Sequence, residues 1–181
     1  KRAWHAGVSF WRGAKDINAR SVGIEIVNPG HEFGYRAFPA PQMASVAALA
    51  ADIVSRHQIP SRNVVGHSDV APMRKEDPGE LFDWQWLAGQ GVGLWPETEE
   101  TPKGDMRTVS PGMAGKSVKD LRQALAEIGY EVAVDGEYDA GLECVIRAFQ
   151  RHWRPLRVDG IADKETQARL HAVLVQVRRL T

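Results

Sequence analysis

The sequence predicts an α/β domain followed by a small all-α domain. Early in the chain, alternating apolar residues precede a helical period, and further helical periods fill the last part. Between them, residues 97–112 combine Pro, Gly and Thr with no apolar period, as linkers do. We therefore predict an α/β domain over 1–96, a linker over 97–112 and a three-helix bundle over 113–181.

The first part shows one clear strand pattern and two helix patterns. Residues 21–27 alternate Gly23, Glu25 and Val27 with three apolar side chains on the opposite face, Val22, Ile24 and Ile26. A helical period directly after Pro41 predicts a helix over 42–58. The pair Val64–Val65 predicts a second short strand that leads to His67. A second helix and an aromatic seal are predicted from Trp84, Trp86, Leu87 and Trp95.

The last part shows three helical periods and an internal repeat. The periods predict helices around residues 118–128, 142–149 and 170–177, the first of them capped by Ser117. The segment Val134-Asp135-Gly136, followed by Asp139, recurs as Val158-Asp159-Gly160, followed by Asp163. Each Asp-Gly pair suits a tight turn, and each later Asp can cap the next helix. These signals predict the bundle over 113–181.

Composition and charge exclude several classes of partner. The chain is 43% hydrophobic and 25% charged, ordinary values for a globular protein. Its 23 Lys and Arg residues balance 23 Asp and Glu residues, so no net field would attract nucleic acid. No segment approaches the ~20 apolar residues of a membrane span, and one cysteine excludes an internal disulfide. The start lacks an initiator Met and a signal-peptide pattern, so any export signal or lipid anchor would lie upstream.

The segment GHSDVAPMRKEDPG at 66–79 concentrates reactive side chains. His67 is followed by Lys75 and Asp77, and the prolines make a fixed loop that can bring all three together. A neutral histidine and an aspartate are good zinc ligands, and a catalytic zinc usually takes three protein ligands and a water. From composition alone, a polar surface loop explains the segment equally well.

This segment resembles the signature of the type 2 family of N-acetylmuramoyl-L-alanine amidases, zinc enzymes related to peptidoglycan recognition proteins. Other segments resemble the same family, namely AWHAG at 3–7, Ser9–Trp11, SVGIEIVN at 21–28, DPGELFDW at 77–84 and GVGLWP at 91–96. The resemblance covers residues 3–96 and implies an α/β fold with a mixed sheet and flanking helices. It implies hydrolysis of the amide bond between the lactyl group of N-acetylmuramic acid and L-alanine.

The resemblance also implies a zinc ion and roles for individual residues. His67 and Asp77 would be zinc ligands. Glu25 would face the reacting water and move its proton, and Lys75 would stabilise the oxyanion that forms from the substrate carbonyl. From the residues alone, Glu25 could instead be a solvated strand residue, and Lys75 could form a surface ion pair.

The substrate side and the third ligand depend on the start of the chain. The resemblance implies substrate contacts from His5, Trp4 and Asn28. The family supplies its first ligand, a histidine, from a strand that precedes the AWHAG segment. We therefore expect that strand and its histidine upstream of Lys1, either in the same chain or on a separate N-terminal fragment of the same protein that acts as a partner. His5 as the ligand, or as a purely structural residue, remains an alternative.

The tail resembles the type 1 peptidoglycan-binding domain, a three-helix module, through its VDG repeat and the intervening Ala148-Phe149-Gln150-Arg151. Thr166 matches a family threonine, whereas Leu142 replaces it in the first copy. The resemblance implies wall anchoring and action in the periplasm or at the outer membrane, with a secreted lysin as an alternative. A bundle that serves only as a scaffold or dimerisation unit also remains open. An alternative function from another class also remains open: a non-catalytic recognition protein that would bind muropeptide without cleaving it.

Overall fold

The protein is described by a computed structural model, which covers residues 2–96 and 106–180. Two short strands come first, β1 (Phe10–Trp11) and β2 (Ala14–Lys15). Six α-helices follow: α1 (Ala40–His57), α2 (His67–Val70), α3 (Trp84–Gly89), α4 (Lys116–Ile128), α5 (Ala140–Trp153) and α6 (Lys164–Arg179). Short 3₁₀ turns lie at Ile17–Ala19, His31–Phe33 and Ser61–Asn63. None of the helices in the described ranges is long and apolar enough to cross a membrane.

The predicted mixed sheet is not confirmed. The sheet in residues 2–96 and 106–180 is the antiparallel β1–β2 hairpin, in which Phe10 pairs with Lys15 and Trp11 with Ala14. Residues 21–27 form no strand, and Val22 is 53% exposed, so their alternation does not mark a buried face here. A strand requires a hydrogen-bonded neighbour, and no described segment pairs with this one. Val64–Val65 is not a strand either, so His67 begins α2 instead of following a strand.

Both helices predicted in the first part are present. α1 begins after Pro39, carries Pro41 in its first turn and ends at His57, and the capping residue Gln58 has a left-handed backbone conformation. α3 is capped by Asp83, whose side chain accepts from the Trp86 N–H at 2.8 Å. Between them lies one apolar cluster formed by Phe38, Met43, Val46, Ala47, Ala50, Phe82, Trp84, Leu87 and Val92.

The three helices predicted for the tail are also present. The carboxylates of Asp139 and Asp163 accept from Leu142 N–H at 2.7 Å and Thr166 N–H at 2.9 Å, which confirms both predicted caps. The predicted Ser117 cap is wrong, because α4 starts one residue before it and Gly115 occupies the capping position. The three helices contribute buried residues to a common core that includes Leu125, Ile146, Phe149 and Val173.

That common core extends across the predicted domain boundary. Trp11, Val70 and Ala71 belong to the same buried cluster as α4, α5 and α6. Within the predicted linker, residues 97–105 lie outside the described residues, whereas Val109 is buried and pairs with Ala162 through hydrogen bonds of 3.0 and 2.9 Å. The division into domains stays a prediction. α2, which begins with the candidate ligand His67, packs against α5 of the tail.

Candidate active site

The loop that follows α2 folds back, so that His67 and Asp77 lie side by side. His67 Nδ1 is 3.0 Å from Asp77 Oδ2. The Ser68 N–H also donates to the Asp77 carbonyl oxygen at 2.9 Å, which closes the loop through its backbone. Asp77 is joined to Pro78 by a cis peptide bond. The predicted fold-back therefore brings an imidazole and a carboxylate together.

The two ring nitrogens of His67 have different partners, and the arrangement fits a zinc ion. Nε2 lies 3.1 Å from the Ala6 carbonyl oxygen and Nδ1 faces Asp77, so both nitrogens face acceptors. In the tautomer that could bind a metal through Nδ1, the ring proton is on Nε2 and is donated to Ala6. The Nδ1 lone pair then faces the Asp77 carboxylate, and a cation between these two acceptors removes their repulsion. Two ligands of a tetrahedral zinc ion lie about 3.3 Å apart. Histidine ligands also commonly donate their other N–H to a backbone carbonyl.

Lys75 belongs to the same group of charges. The hydrogen bond with His67 is the largest influence on the pKa of Asp77 and lowers it. Burial acts in the opposite direction, and the charges of His67 and Lys75 lower the pKa further. The Asp77 carboxylate is therefore ionised at neutral pH, and the Lys75 ammonium is close enough to act on it. The loop thus holds an imidazole and a carboxylate in contact, and the role of Lys75 stays a prediction.

The segment before β1 is attached to this loop. The Arg74 guanidinium donates to the carbonyl oxygens of Ala6 and Val8. Gly7 lies beneath it with φ of +62°, and a Cβ there would come within 2.7 Å of Arg74 Nη2. The positive φ and the close approach both favour glycine at this position. The backbone of the AWHAG segment therefore lies beside His67.

The side chain of His5 contacts the segment that carries Glu25. Its Nε2 is 2.7 Å from Ser21 Oγ, and a Cβ at Gly23 would meet the His5 ring at 2.7 Å. Its Nδ1 is buried without a hydrogen-bond partner in the structure as described. This arrangement argues against His5 as the third ligand. No group of three or more His, Cys, Asp or Glu residues within 2–96 and 106–180 is placed to hold a metal.

The contacts of the described residues do not join the other predicted residues to the His67–Asp77 pair. Glu25 is exposed, and no hydrogen bond or ion pair of the described residues joins it to His67, Lys75 or Asp77. Trp4 is 79% exposed and lies under the Arg2 guanidinium at 4.4 Å. Asn28 donates to the Arg36 carbonyl oxygen at 2.8 Å and accepts from Gly30 N–H at 3.1 Å, so it closes its own loop. Their roles stay predictions.

Two residues of that loop, His31 and Tyr35, hold the segment that follows Asp77. Tyr35 Oη donates to the Pro78 carbonyl oxygen at 2.7 Å and accepts from Leu81 N–H at 2.8 Å. Burial raises the pKa of Tyr35 to about 12, so its hydroxyl remains a donor. His31 Nε2 lies 3.0 Å from Glu80 Oε2, and its ring packs against the Tyr35 ring at a tilt of 33°. Residues 28–38 therefore fix the position of the segment that follows Asp77.

Sequence reasoning missed the group beneath the loop, which consists of Asp69, Tyr130 and His152. Asp69 Oδ1 accepts from Tyr130 Oη at 2.6 Å, and Oδ2 accepts from His152 Nδ1 at 2.7 Å. Burial and the Asp69 charge raise the pKa of Tyr130 well above its usual range, so the phenol stays protonated. The partners lie 61 and 83 residues from Asp69. The only local signal was an acidic residue in an apolar setting, Asp69-Val70-Ala71.

Comparison with known families agrees with both resemblances. The model of the family described as N-acetylmuramoyl-L-alanine amidase matches residues 1–80. The model described as putative peptidoglycan binding domain matches residues 114–170. Together these matches cover the His67–Asp77 loop, α4, α5 and the first part of α6.

Two curated proteins illustrate the similarity. The N-acetylmuramoyl-L-alanine amidase AmiD of Escherichia coli strain K12 is 42% identical over an alignment of 183 positions that covers 95% of this chain. The chain spans 63% of the length of that protein. The 1,6-anhydro-N-acetylmuramyl-L-alanine amidase AmpD of Enterobacter cloacae is 39% identical over 84 residues, 46% of this chain and 43% of AmpD.

Solved structures extend the similarity to the fold. The complex of AmiD from E. coli with the substrate anhydro-N-acetylmuramic acid-L-Ala-D-gamma-Glu-L-Lys has a TM-score of 0.83 at 40% identity, covering 97% of this chain and 69% of AmiD. AmpDH3 from Pseudomonas aeruginosa has a TM-score of 0.76 at 31% identity, covering 97% of this chain and 70% of AmpDH3. With a similarity that runs through both parts of the sequence, the chain belongs to the N-acetylmuramoyl-L-alanine amidase family.

Proposed function

We propose that this chain is part of a zinc-dependent N-acetylmuramoyl-L-alanine amidase that hydrolyses the lactyl–L-alanine amide bond of peptidoglycan or muropeptides. The observation that carries the proposal is the approach of His67 Nδ1 to Asp77 Oδ2 at 3.0 Å, within a segment that matches the amidase family. A related structure contains AmiD with an anhydro-muropeptide substrate, which supports a muropeptide as the substrate here.

In this proposal the chain's own residues divide the chemistry among them. His67 and Asp77 would hold the zinc ion, with a third ligand, a histidine, upstream of Lys1. The chemistry that a bound zinc ion supplies is acidification of a water molecule and polarisation of a carbonyl group. Glu25 would accept the proton of the attacking water and return it to the leaving amino group of L-alanine. The Lys75 ammonium would stabilise the negative charge that develops on the substrate carbonyl oxygen, a contribution of about 3–4 kcal/mol.

We further propose that residues 113–181 attach the enzyme to the wall, in the periplasm or at the outer membrane. The match of residues 114–170 to a putative peptidoglycan binding domain supports this. A polymeric substrate makes such attachment useful, because a tethered site meets many bonds at high local concentration. A secreted lysin would use the same arrangement.

The test is hydrolysis of purified peptidoglycan by the full-length protein, followed as newly exposed L-alanine amino groups and by mass spectrometry of the released peptides. We expect release that a chelator abolishes and that zinc restores. Asp77→Asn should abolish release, whereas Asp83→Asn, which alters only the α3 cap, should retain it. Wall binding without release by the zinc-loaded wild type would instead support a non-catalytic recognition protein.

A further inference from the structure

We propose that the helical tail positions the candidate zinc ligands through contacts with the loop that carries them. Tyr130, Arg151 and His152 would be the positioning residues. The identity of the ligands rests on the function proposed above, whereas the contacts themselves do not. The tail would then have a second task besides attachment to the wall: it would set the geometry of the His67–Asp77 pair.

The first support for this inference is the position of Asp69, two residues after His67 in the single turn of α2. Its Oδ2 accepts from Gly66 N–H at 2.7 Å, so the same carboxylate caps the turn that presents His67. The tail supplies its other two donors, Tyr130 Oη and His152 Nδ1. Asp69 is 1% exposed, so water cannot replace a donor that is lost.

The second support is the fixed orientation of the His152 ring. It stacks on Trp84 at 4.0 Å between centroids and on Trp153 at 3.7 Å, nearly parallel to both. His152 itself is 2% exposed. An imidazole between two indoles cannot turn without moving them, so its Nδ1–H keeps one direction toward Asp69.

The third support comes from the other end of the loop. Arg151 Nη2 forms an ion pair with Glu76, the residue directly before Asp77. The Arg151 side chain is 10% exposed, whereas that of Glu76 is 57% exposed, so the buried partner belongs to the tail. Successive residues of α5 therefore contact both arms of the loop, one beside each candidate ligand.

Metal coordination is sensitive to this kind of support. Ligand distances tolerate only about ±0.2 Å around their usual values, and outer partners of ligands commonly change metal affinity about 10–100-fold. Loss of the Tyr130 hydroxyl would leave the buried Asp69 carboxylate with fewer donors. The turn that carries His67 would then shift or loosen, while the helices of the tail stay folded.

A purely structural role for these residues would give a different result, and the chain offers a matched control. Tyr138 is a second buried tyrosine of the tail, 4% exposed, and its hydroxyl donates to the Gly160 carbonyl oxygen at 2.6 Å. Tyr138→Phe removes a buried hydroxyl of the same kind without touching the His67–Asp77 loop. Tyr130→Phe and Tyr138→Phe therefore separate positioning from general stability.

The first measurement is metal binding by the full-length protein, with zinc affinity from chelator competition and site geometry from the visible absorption of the cobalt(II) form. We expect Tyr130→Phe to weaken zinc binding about tenfold and to change the cobalt spectrum, while Tyr138→Phe matches wild type. His152→Asn, which keeps a donor near the Nδ1 position, should retain more affinity than His152→Leu. Equal affinities and spectra for both tyrosine variants would overturn the inference.

The second measurement is amide hydrogen exchange of residues 66–78 in metal-free protein, which tests positioning even if wild type binds no zinc. We expect faster exchange in Tyr130→Phe and unchanged exchange in Tyr138→Phe. A wild type without zinc binding would contradict the proposed function, yet faster exchange in Tyr130→Phe alone would still support the positioning role. If exchange in the loop were the same in both variants, the positioning role would be wrong.

Discussion

At the residue scale, the chemistry of the candidate site depends on the different partners of the two His67 nitrogens. In the metal-binding tautomer the Ala6 carbonyl accepts the Nε2 proton, and Nδ1 offers an electron pair. Asp77 adds an ionised carboxylate 3.0 Å away. One neutral and one anionic ligand, already adjacent, need little rearrangement to hold a divalent ion.

Asp77→Asn tests this pairing. The substitution keeps the size of the side chain but replaces a charged ligand by a neutral amide, a much weaker ligand for zinc. We expect zinc content of the purified full-length protein to fall to a small fraction of the wild-type value, with amidase activity reduced at least 100-fold. Zinc by atomic absorption and peptide release measure the two effects. Unchanged zinc content would show that Asp77 is not a ligand.

Glu25→Gln separates catalysis from metal binding. The amide is isosteric but cannot accept the proton of the attacking water, so we expect kcat to fall about 10²–10⁴-fold while zinc content stays at the wild-type level. Glu32→Gln, at another exposed acid of the first part, is the control and should retain activity. A wild-type kcat in Glu25→Gln would show that Glu25 is not the proton acceptor, and would support a solvated surface residue instead.

How much of the site the sequence could predict follows from the distances along the chain. His67 and Asp77 belong to one short loop with prolines, so their approach could be predicted locally. The partners of Asp69 are remote, and their meeting depends on how α5 packs against α2. No local pattern contains that packing, so His152 could only be predicted as a structural or surface residue.

At the element scale, the helix signals of the sequence predicted helices that the structure contains. The strand signals at 21–27 and 64–65 predicted strands that the described residues do not form. The aspartates at 139 and 163 cap their helices because a cap is a contact within one turn. The alternation at 21–27 also requires a neighbouring strand, which periodicity within the segment cannot supply. The predicted Ser117 cap is wrong because α4 begins one residue earlier, at Lys116.

Asp163→Ala tests a cap through its pH dependence. Burial would raise the pKa of Asp163, but the hydrogen bond from Thr166 N–H and the Arg154 charge outweigh it, so the folded-state pKa is lowered. The stabilisation is therefore complete above the unfolded pKa of about 4 and is lost as the pH falls through the lower folded pKa. We expect Asp163→Ala to lower the free energy of unfolding by about 1–2 kcal/mol at pH 7. Urea unfolding at several pH values should show this difference shrinking below about pH 4.

The control for this measurement is Asp120→Ala, which removes an exposed carboxylate paired with Lys116 on α4. An exposed pair of this kind contributes about 0.5 kcal/mol or less, so the substitution should change unfolding little at any pH. A difference between Asp163→Ala and wild type that persists unchanged at pH 3 would contradict the assignment to the ionised cap.

At the scale of the whole molecule, the shared core joins the two parts that the linker pattern separates. The cluster that holds Leu125 and Phe149 also contains Trp11 and Val70. The Arg12 guanidinium and N–H donate across the same boundary to the carbonyls at the end of α4, including Ile128 at 3.0 Å and Gly129 at 2.9 Å. Buried apolar contacts of this kind make the unfolding of one part expose the core of the other. The similarity to AmiD and AmpDH3 runs through both parts of the chain, which is consistent with a fixed position of one part relative to the other.

Leu125→Ala tests whether the two parts unfold together. Leu125 is fully buried in the tail helix α4, and removal of its side chain should cost about 2–5 kcal/mol. If the shared core makes unfolding cooperative, calorimetry of wild type should show one transition with equal calorimetric and van't Hoff enthalpies. Leu125→Ala should then shift that whole transition down by about 5–15 °C, whereas Leu49→Ala, at a half-exposed position of α1, should shift it little. Two transitions, of which Leu125→Ala moves only one, would mean that the parts are energetically independent despite their common core.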